Sequence, residues 1–390
     1  MDQISNKNES AKFKSEQWKY TNSNSFSDFS LKFNPKHTNV NQECKPNEII
    51  IYNGQVAKCG EYLKKNGIQI YNTQNAFKKN INNFKEIFNT IAPKEQDQYF
   101  SYNTENYNSG YYLYIPKNFS SNHIILIKNI IDQGNENSFL NYRNFIYCDE
   151  NVKATILNEE IFSINHCINI VCETYLKKNT QLEIINYSEK PQTKQIYNFS
   201  AYIDENSNLD YHSIDISGNL LKNNYYFNLE KPGSTCLFNG FNIANDKAHN
   251  DSYIQINHNS PYTISDINYK IIANQTAQSI LFAKSTINKG SHHSEAYQKN
   301  NNLILSDKAI IHSNPQLEIY NDDVKCSHGS ATGQFDDEAI YYMRTRGLNE
   351  KMAKELILNS FINEIIERIS PLDIQKNLRN KTEKYLKNGH

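Results

Sequence analysis

The sequence has few of the features that would give the chain a chemistry of its own. None of its 13 glycines is directly followed by lysine, so the Gly-x-x-x-x-Gly-Lys-Ser/Thr cradle for nucleotide phosphates cannot form. The run Gly329–Gly333 is not a Gly-x-Ser-x-Gly nucleophile elbow, because its serine directly follows the first glycine. We therefore expect neither ATP hydrolysis by this chain nor a hydrolase of that type.

Long hydrophobic runs are also missing. No apolar stretch approaches the roughly 18 residues of a membrane span, and Met1–Ser15 lack the apolar centre of a secretory signal. Lys plus Arg, 41 in number, nearly balance Asp plus Glu, 42, so charge argues neither for nucleic acid nor for membrane. We expect a chain of the bacterial cytoplasm, with a plastid location open if the precursor is longer.

The seven cysteines form no C-x-x-C pair, and their odd number and scattered positions favour reduced thiols over a disulfide frame or a zinc knuckle. Four of them lie in strand-like surroundings, where we expect small buried hydrophobes. They are Cys148, Cys167, Cys172 and Cys236.

The sequence does contain a long region of short strands, in which apolar and polar residues alternate. The turn signals Asn179-Thr180, Asn206-Ser207 and Gly233-Ser234 follow one another at intervals of 27 residues. A fixed period of this kind indicates a solenoid, in which each coil stacks on the last. A sandwich or jelly roll fits the strand lengths but not the length of the region. We predict a mainly β protein built on a right-handed parallel β-helix.

The chain is predicted to have four segments. They are a disordered tail at 1–15, a mostly helical N-terminal segment at 16–108, the β-helix core at 109–325 and a C-terminal helical domain at 326–390. The apolar spacing of Phe77–Ile91 predicts a helix within the N-terminal segment.

In the C-terminal domain, acidic Asp336, Asp337 and Glu338 suit the start of a helix, and Arg344, Arg346 and Gly347 suit its end. Asn349 is predicted to cap a second helix. Its apolar stripe is Leu356, Ile357, Phe361, Ile365, Ile366 and Ile369.

A thiol and an imidazole lie two residues apart where the strands give way to these helices. In a strand, Cys326 and His328 would point to the same side, and the pair suits soft or borderline metals such as iron. Two ligands are too few, so a complete site needs residues of a partner or of an adjacent coil; a capping or packing role stays open. His292-His293, near Glu295, indicate a solvated turn rather than a metal site.

The run from Gln316 to Gly347 also carries a family resemblance. It contains Lys-Cys-Ser-His-Gly, Gly-Gln, Asp-Glu-Ala and Arg-x-Arg-Gly in this order. It resembles the C-terminal signature of the SufB/SufD family of iron–sulfur cluster assembly proteins, and more specifically the SufD branch. The Glu-x-Trp-Lys-Tyr-Thr run at 16–21 resembles an element of the same branch, although the helical lead before it looks shortened. The family fold agrees with the predicted β-helix.

The resemblance implies two partners. The β-helix would pair with SufB, where His328 matches the family histidine at the contact and Cys326 the neighbouring cysteine. The helices would bind SufC, an ABC-type ATPase, or cap the last coil, or both. The candidate residues for contact with SufC are Asp336, Glu338, Tyr342, Arg344, Arg346 and Leu348.

The resemblance further implies a non-catalytic scaffold subunit, with ATP hydrolysis supplied by SufC. No cofactor would bind stably, and iron or a cluster shared with SufB would be held transiently by His328 and Cys326. A flavin in the complex and a homodimer of the isolated chain stay open. Two alternatives are a SufB-type subunit, which would carry an assembly cysteine where this chain has Asn300, and a carbohydrate-active β-helix enzyme. The enzyme would need clustered charges and usually a secretion signal.

Overall fold

The computed structural model of the protein describes residues 16–26, 43–91, 97–131, 139–162, 167–189, 193–216 and 218–388. The tail predicted at 1–15 lies outside these residues. The described chain is a β-solenoid of about seven turns with helices at both ends, which confirms the predicted fold class. Within these ranges, no helix is both long enough and apolar enough to cross a membrane.

Strands and helices are numbered along the chain. The strands are β1 Glu48–Tyr52, β2 Gln55–Cys59, β3 Gln69–Asn72, β4 Tyr111–Ile115, β5 Ile125–Ile131, β6 Phe139–Cys148, β7 Lys153–Phe162, β8 Cys167–Leu176, β9 Gln181–Glu189, β10 Lys194–Ile203, β11 Asn208–Ile216, β12 Leu220–Leu229, β13 Thr235–Ala244, β14 His249–His258, β15 Ile264–Ala273, β16 Gln278–Ile287, β17 Ser294–Ile304, β18 Ile310–Ile319 and β19 Val324–Gly333. The helices are α1 Glu61–Lys65, α2 Thr73–Lys79, α3 Phe84–Ile87, α4 Gln98–Asn106, α5 Asp337–Thr345, α6 Glu350–Ile366 and α7 Leu372–Asn388, with 3₁₀ turns at Glu16–Trp18, Ser23–Phe26 and Ile81–Asn83.

Successive strands alternate between two sheets. A ten-stranded sheet has the order β19-β17-β15-β13-β11-β9-β7-β5-β1-β2, and a nine-stranded sheet has the order β18-β16-β14-β12-β10-β8-β6-β4-β3. From β4 onward neighbouring strands are parallel, whereas β1 with β2 and β3 with β4 are antiparallel at the N-terminal end. Asn208 pairs with Gln181 and Thr235, at the interval that the turn signals predicted.

Left-handed backbone at the turns explains the periodic turn signals. Asn179, Asn206, Asp246 and Gln275 have φ of 59°, 53°, 58° and 55°. Asn and Asp tolerate this region because their short polar side chains can hydrogen-bond locally. Gly233 has φ of 73°, and a Cβ there would lie 2.4 Å from Oδ1 of Asn206 in the preceding coil. Glycine is therefore favoured at that turn, because a larger residue would need the left-handed backbone and a shift of the Asn206 side chain.

Alternate side chains of the strands fill the interior of the solenoid. Its centre is aromatic: the rings of Tyr211, Tyr225, Phe227 and Phe238 are buried, with centroids 5.0 to 5.8 Å apart. Each such pair contributes about 0.5–1.5 kcal/mol beyond the burial of its area. The four cysteines predicted to be small buried hydrophobes are all buried and free, as expected.

The N-terminal segment is less helical than predicted. Between residues 16 and 108 the described chain contains β1, β2 and β3 as well as short helices, and β1 pairs with β5 of the solenoid. The helix predicted over 77–91 is broken, because Asn80 and Asn82 have φ of 49° and 48°. The apolar residues of this stretch still pack inward, with Phe84 fully buried between α2 and the nine-stranded sheet.

Helices α5 and α6 begin at their predicted caps, and α5 ends before Gly347 as predicted, whereas α7 was not predicted. The side chain of Asp336 accepts hydrogen bonds from the first turn of α5, and that of Asn349 accepts one from the amide of Met352 in α6. Gly347 follows α5 with φ of 94°. These caps satisfy amide groups that a helix leaves unpaired at its start.

Two further predictions need correction. The buried stripe of α6 is formed by Leu358, Ile362, Ile365 and Ile366, which pack on the outer face of the ten-stranded sheet, whereas Leu356 is 50% exposed. The boundary predicted at 325 falls inside β19, because the last strand continues to Gly333. Residues 326–333 therefore belong to the last coil of the solenoid and not to the helical domain.

Candidate functional site

The C-terminal end of the solenoid is open. β18 and β19 are the last strands of their sheets, and within the described chain no further strand pairs with either. Most of their side chains are partly or fully exposed, in contrast to the buried strands that precede them. Edge strands of this kind present unpaired N–H and C=O groups.

Cys326 and His328 lie on β19 and face the interior side of the solenoid. Cys326 is in register with Ala296, which is aligned through Ser265 with the buried Cys236. His328 is in register with Gln298, on the line of side chains that includes the buried Phe238. Both side chains therefore point to the same side of β19, as their two-residue spacing predicted, and this side is the open end of the solenoid interior.

The two side chains differ in their exposure. His328 is exposed, because no further coil covers it, whereas Cys326 is partly buried. Burial raises the pKa of the Cys326 thiol, and a hydrogen bond involving the backbone of Ala296 lowers it in part. Burial therefore disfavours the thiolate form of Cys326, which is the form that binds metal ions.

The site is incomplete within this chain. Among the described residues no group of three or more His, Cys, Asp or Glu side chains could hold a metal ion. Cys326 and His328 offer two donors of the types that iron accepts, and a tetrahedral set needs further donors. A partner across the open end could supply them.

Asn300 lies on β17, next to Ser330 of β19, and its side chain takes part in a hydrogen-bond network between strands. It is buried, its Nδ2 donates to the carbonyl oxygen of Tyr269 at 2.9 Å, and its Oδ1 accepts from Ser313 Oγ at 2.7 Å. Ser313 in turn contacts Ser330 Oγ of β19 at 2.8 Å. The position compared with an assembly cysteine is therefore a structural amide that links β15, β17 and β18.

The N-terminal strap, which we define as residues 16–26, crosses the outer face of the nine-stranded sheet. The hydroxyl of Thr21 is hydrogen-bonded to Asp251 and His249 of β14, and the ring of Tyr20 stacks on His312 of β18, with centroids 4.4 Å apart. Trp18 packs beside the start of α4. The sequence indicated an aromatic anchor here, but it did not indicate that Tyr20 contacts β18, the edge strand of the nine-stranded sheet.

The double histidine lies in an exposed turn, as the sequence indicated. His293 has φ of 56°, stacks on Tyr262 with centroids 5.0 Å apart, and places Nδ1 3.0 Å from Oδ2 of Asp323. His292 contacts Asn321. Glu295 lies apart from the two and forms an ion pair with Lys325. These residues do not form a metal site.

The residues predicted to contact an ATPase lie on or beside α5. Glu338, Arg344 and Arg346 are exposed, Asp336 caps the helix, and Leu348 is partly buried. Tyr342 is 59% exposed and its hydroxyl accepts a hydrogen bond from Arg346. Three apolar side chains that were not among the predicted contact residues are exposed on the same helical hairpin. They are Tyr341 on α5 and Met352 and Leu356 on α6, which are 50–70% exposed.

Comparisons with known proteins show which family the chain resembles in sequence. Residues 130–361 match the family model described as the SufBD core domain of the SUF system for FeS cluster assembly. The iron–sulfur cluster assembly protein SufD of Escherichia coli is 27% identical over 240 residues, which are 60% of this chain and 56% of that protein. A SufBD family protein of Synechocystis is 29% identical over 213 residues, or 54% of this chain and 47% of the relative.

A chloroplastic protein of Arabidopsis thaliana, ABCI7, is 24% identical over 246 residues, which are 62% of this chain and 52% of that protein. The chain thus spans about half the length of the curated relatives that it matches. The family model covers more than half of the chain and includes the strands from β6 to β19, α5 and most of α6. The chain therefore belongs to the SufB/SufD family of iron–sulfur cluster assembly proteins.

Proposed function

We propose that this chain acts as a SufD-type subunit that pairs with SufB across the open end of its solenoid. The observation that carries the proposal is the pair Cys326 and His328, which lie on the interior face of the last strand, where no further strand of the described chain covers them. Edge strands can add a strand of another protein through their main-chain groups. A partner that docks there would meet both side chains directly.

Iron and sulfide are the cargo of this proposed site. Thiolate and imidazole are donors that iron accepts, and SufB would supply the remaining ligands. The buried amide of Asn300 supports a SufD-type over a SufB-type role, since the position that we compare with the assembly cysteine carries no thiol. The seven free thiols fit a reducing compartment such as the bacterial cytosol.

We also propose that SufC binds the C-terminal helices and supplies the energy. Met352 and Leu356 lie four residues apart and therefore share one exposed face of α6, beside the exposed tyrosines of α5. Exposed apolar groups surrounded by charge are typical of protein-binding surfaces. In this view the chain itself turns over no substrate, and ATP-driven movement of SufC reshapes the contact near His328.

Co-purification tests the partners. The chain is expressed with the SufB and SufC of its own genome, and the mixture is separated on a calibrated sizing column with an ATPase assay of each fraction. We expect one joint peak in which the SufC activity exceeds that of SufC alone. Elution of the chain by itself, with SufC activity unchanged, would contradict the proposal.

Replacing His328 tests the site. We expect His328→Ala to lower cluster assembly in the complex by about ten-fold or more, the loss that follows disruption of a metal site. Its unfolding midpoint should stay unchanged, because His328 is exposed. The control is His292→Ala, which removes another exposed histidine from a nearby turn. Assembly is measured from cluster absorbance and from bound iron and sulfide, and equal yields for the two variants would contradict the assigned role.

A further inference from the structure

One carboxylate of α6 holds two lysines of the ten-stranded sheet. Oε2 of Glu364 lies 2.5 Å from Nζ of Lys270 in β15, and its Oε1 lies 3.2 Å from Nζ of Lys299 in β17. Nζ of Lys270 also donates to the carbonyl oxygen of Phe361 at 2.7 Å and lies over the ring of that residue. Two adjacent strands are thus fastened to one turn of one helix.

The inner half of this contact is buried. The side chain of Lys270 is 2% exposed, and burial lowers its pKa, while the hydrogen bond from Lys270 lowers the pKa of Glu364 to about 2. Removing one partner of a buried ion pair is costly, because the other charge stays buried without compensation. Lys270 therefore resists separation of α6 from β15, whereas the more exposed Lys299 adds a weaker contact to β17.

The outer strand of this contact lies directly beneath the candidate site. Lys299 stands between Gln298 and Asn300, which are in register with His328 and Ser330 of β19. Gln298 Nε2 donates to Ser285 Oγ and to the carbonyl oxygen of Gln316, so this part of β17 also contacts both neighbouring even-numbered strands. A displacement of β17 therefore moves Ala296 and Gln298, the residues that lie next to Cys326 and His328 in the sheet.

We propose that Glu364 is a positioning residue that fixes β17 and β19 relative to α6, so that the position of this helix determines the accessibility of Cys326. The biological consequence rests on the proposed function, in which SufC binds the same helical hairpin. The positional link itself does not depend on a partner, because every contact that carries it lies within this chain.

The test compares two helix-to-sheet ion pairs in the full chain. Glu364→Gln removes the charge beneath the site, and the control Glu159→Gln removes the partner of Lys381, which ties α7 to β7 at 3.2 Å in an earlier coil. Alkylation of Cys326 by N-ethylmaleimide is followed by peptide mass spectrometry, together with amide hydrogen exchange of every strand. We expect Glu364→Gln to raise the alkylation rate by about five-fold and to speed exchange in β17 and β19, with β9 and β11 unchanged.

Two results would overturn the proposal. One is an equal response of Cys326 to Glu364→Gln and Glu159→Gln; the other is faster exchange spread evenly over all strands, which is general destabilisation. Lys299→Gln serves as a second variant, since Lys299 is half-exposed and its loss does not leave a buried charge; a smaller change at the same strands is expected. An unchanged β17 in both variants would exclude the link.

A final comparison separates this inference from the proposed function. In a complex with SufC, ATP should change the alkylation rate of Cys326 in the wild type, and this change should be lost in Glu364→Gln. If the ATP effect persists in the variant, the link is refuted while SufC binding stands. If SufC does not bind the wild type, the proposed function fails and the comparison of the isolated variants still decides the link.

Discussion

At the scale of single residues, burial decides which side chains of the solenoid are available for chemistry. Cys236 and Cys326 lie on the same interior line, but Cys236 is fully buried and its pKa is raised well above the usual range by desolvation. Cys326 is the member of this line that reaches solvent. At the open end, a position that packs the core in earlier coils is therefore partly accessible to solvent.

A pH-dependent stability is expected from His258. This residue is buried, with Nδ1 2.7 Å from Thr263 Oγ1 and Nε2 2.8 Å from Ser265 Oγ, and burial lowers its pKa to about 4. Below the unfolded pKa of about 6.5 the unfolded chain binds a proton that the folded chain does not. Its contribution is therefore complete above pH 6.5 and is lost as the pH falls towards 4, by about 3 kcal/mol at most.

Urea unfolding at a series of pH values checks this expectation. His258→Gln keeps hydrogen-bonding groups at the position but removes the titration, so the difference between wild type and variant isolates this residue from other titrating groups. The free energy of unfolding of the wild type should fall relative to that of the variant between pH 6.5 and 4. Parallel pH profiles would refute the assignment.

At the scale of elements, attachment of α6 to the sheet depends on its buried stripe. Leu358 is fully buried against the ten-stranded sheet, while Leu356, two residues earlier, is half-exposed. We expect Leu358→Ala to lower the free energy of unfolding by about 2–5 kcal/mol, because it removes buried contacts and leaves a cavity. Leu356→Ala should change it by less than about 0.5 kcal/mol. Urea denaturation measures both, and similar losses would contradict the assignment of Leu358 to the buried face and Leu356 to the exposed face of α6.

Local patterns predicted the elements well and their packing less well. The turns at Asn179, Asn206 and Gly233 were readable from sequence, because left-handed backbone restricts the choice of residues. The buried face of α6 could not be predicted from sequence in the same way. Apolar residues occur on most of the surface of this helix, and its packing against the sheet determines which of them are covered. The breaks at Asn80 and Asn82 were missed because the apolar spacing continues through them.

The candidate site was predicted in part for the same reason. The spacing of Cys326 and His328 placed both on one face of a strand, which the register of β19 confirms. Their position at the open end of the solenoid interior could not be derived, because it depends on where the stacking of coils stops. The ion pairs of Glu364 could not be predicted from local sequence patterns, because they join residues that lie far apart in the sequence.

At the scale of the whole molecule, contacts that skip coils tie the solenoid together. The N-terminal strap extends from a cluster with Cys167 of β8 to His312 of β18, and the C-terminal helices contact strands from Glu159 in β7 to Lys299 in β17. In a simple solenoid each coil contacts only its neighbours, so that stability varies along the array. Here the two outer layers bridge most of its length, which favours cooperative unfolding.

The single tryptophan makes this cooperativity measurable. Trp18 lies in the strap, with Nε1 donating to Asp97, so its fluorescence reports the strap while far-UV circular dichroism reports the strands. We expect both signals of the wild type to change at the same urea concentration. Thr21→Val removes the hydroxyl that contacts Asp251 and His249, at a cost of about 1–3 kcal/mol. In this variant the fluorescence midpoint should fall below that of the circular dichroism signal, because the strap detaches first. Separate midpoints in the wild type would contradict the expectation, since the strap would then not be part of the cooperative unit.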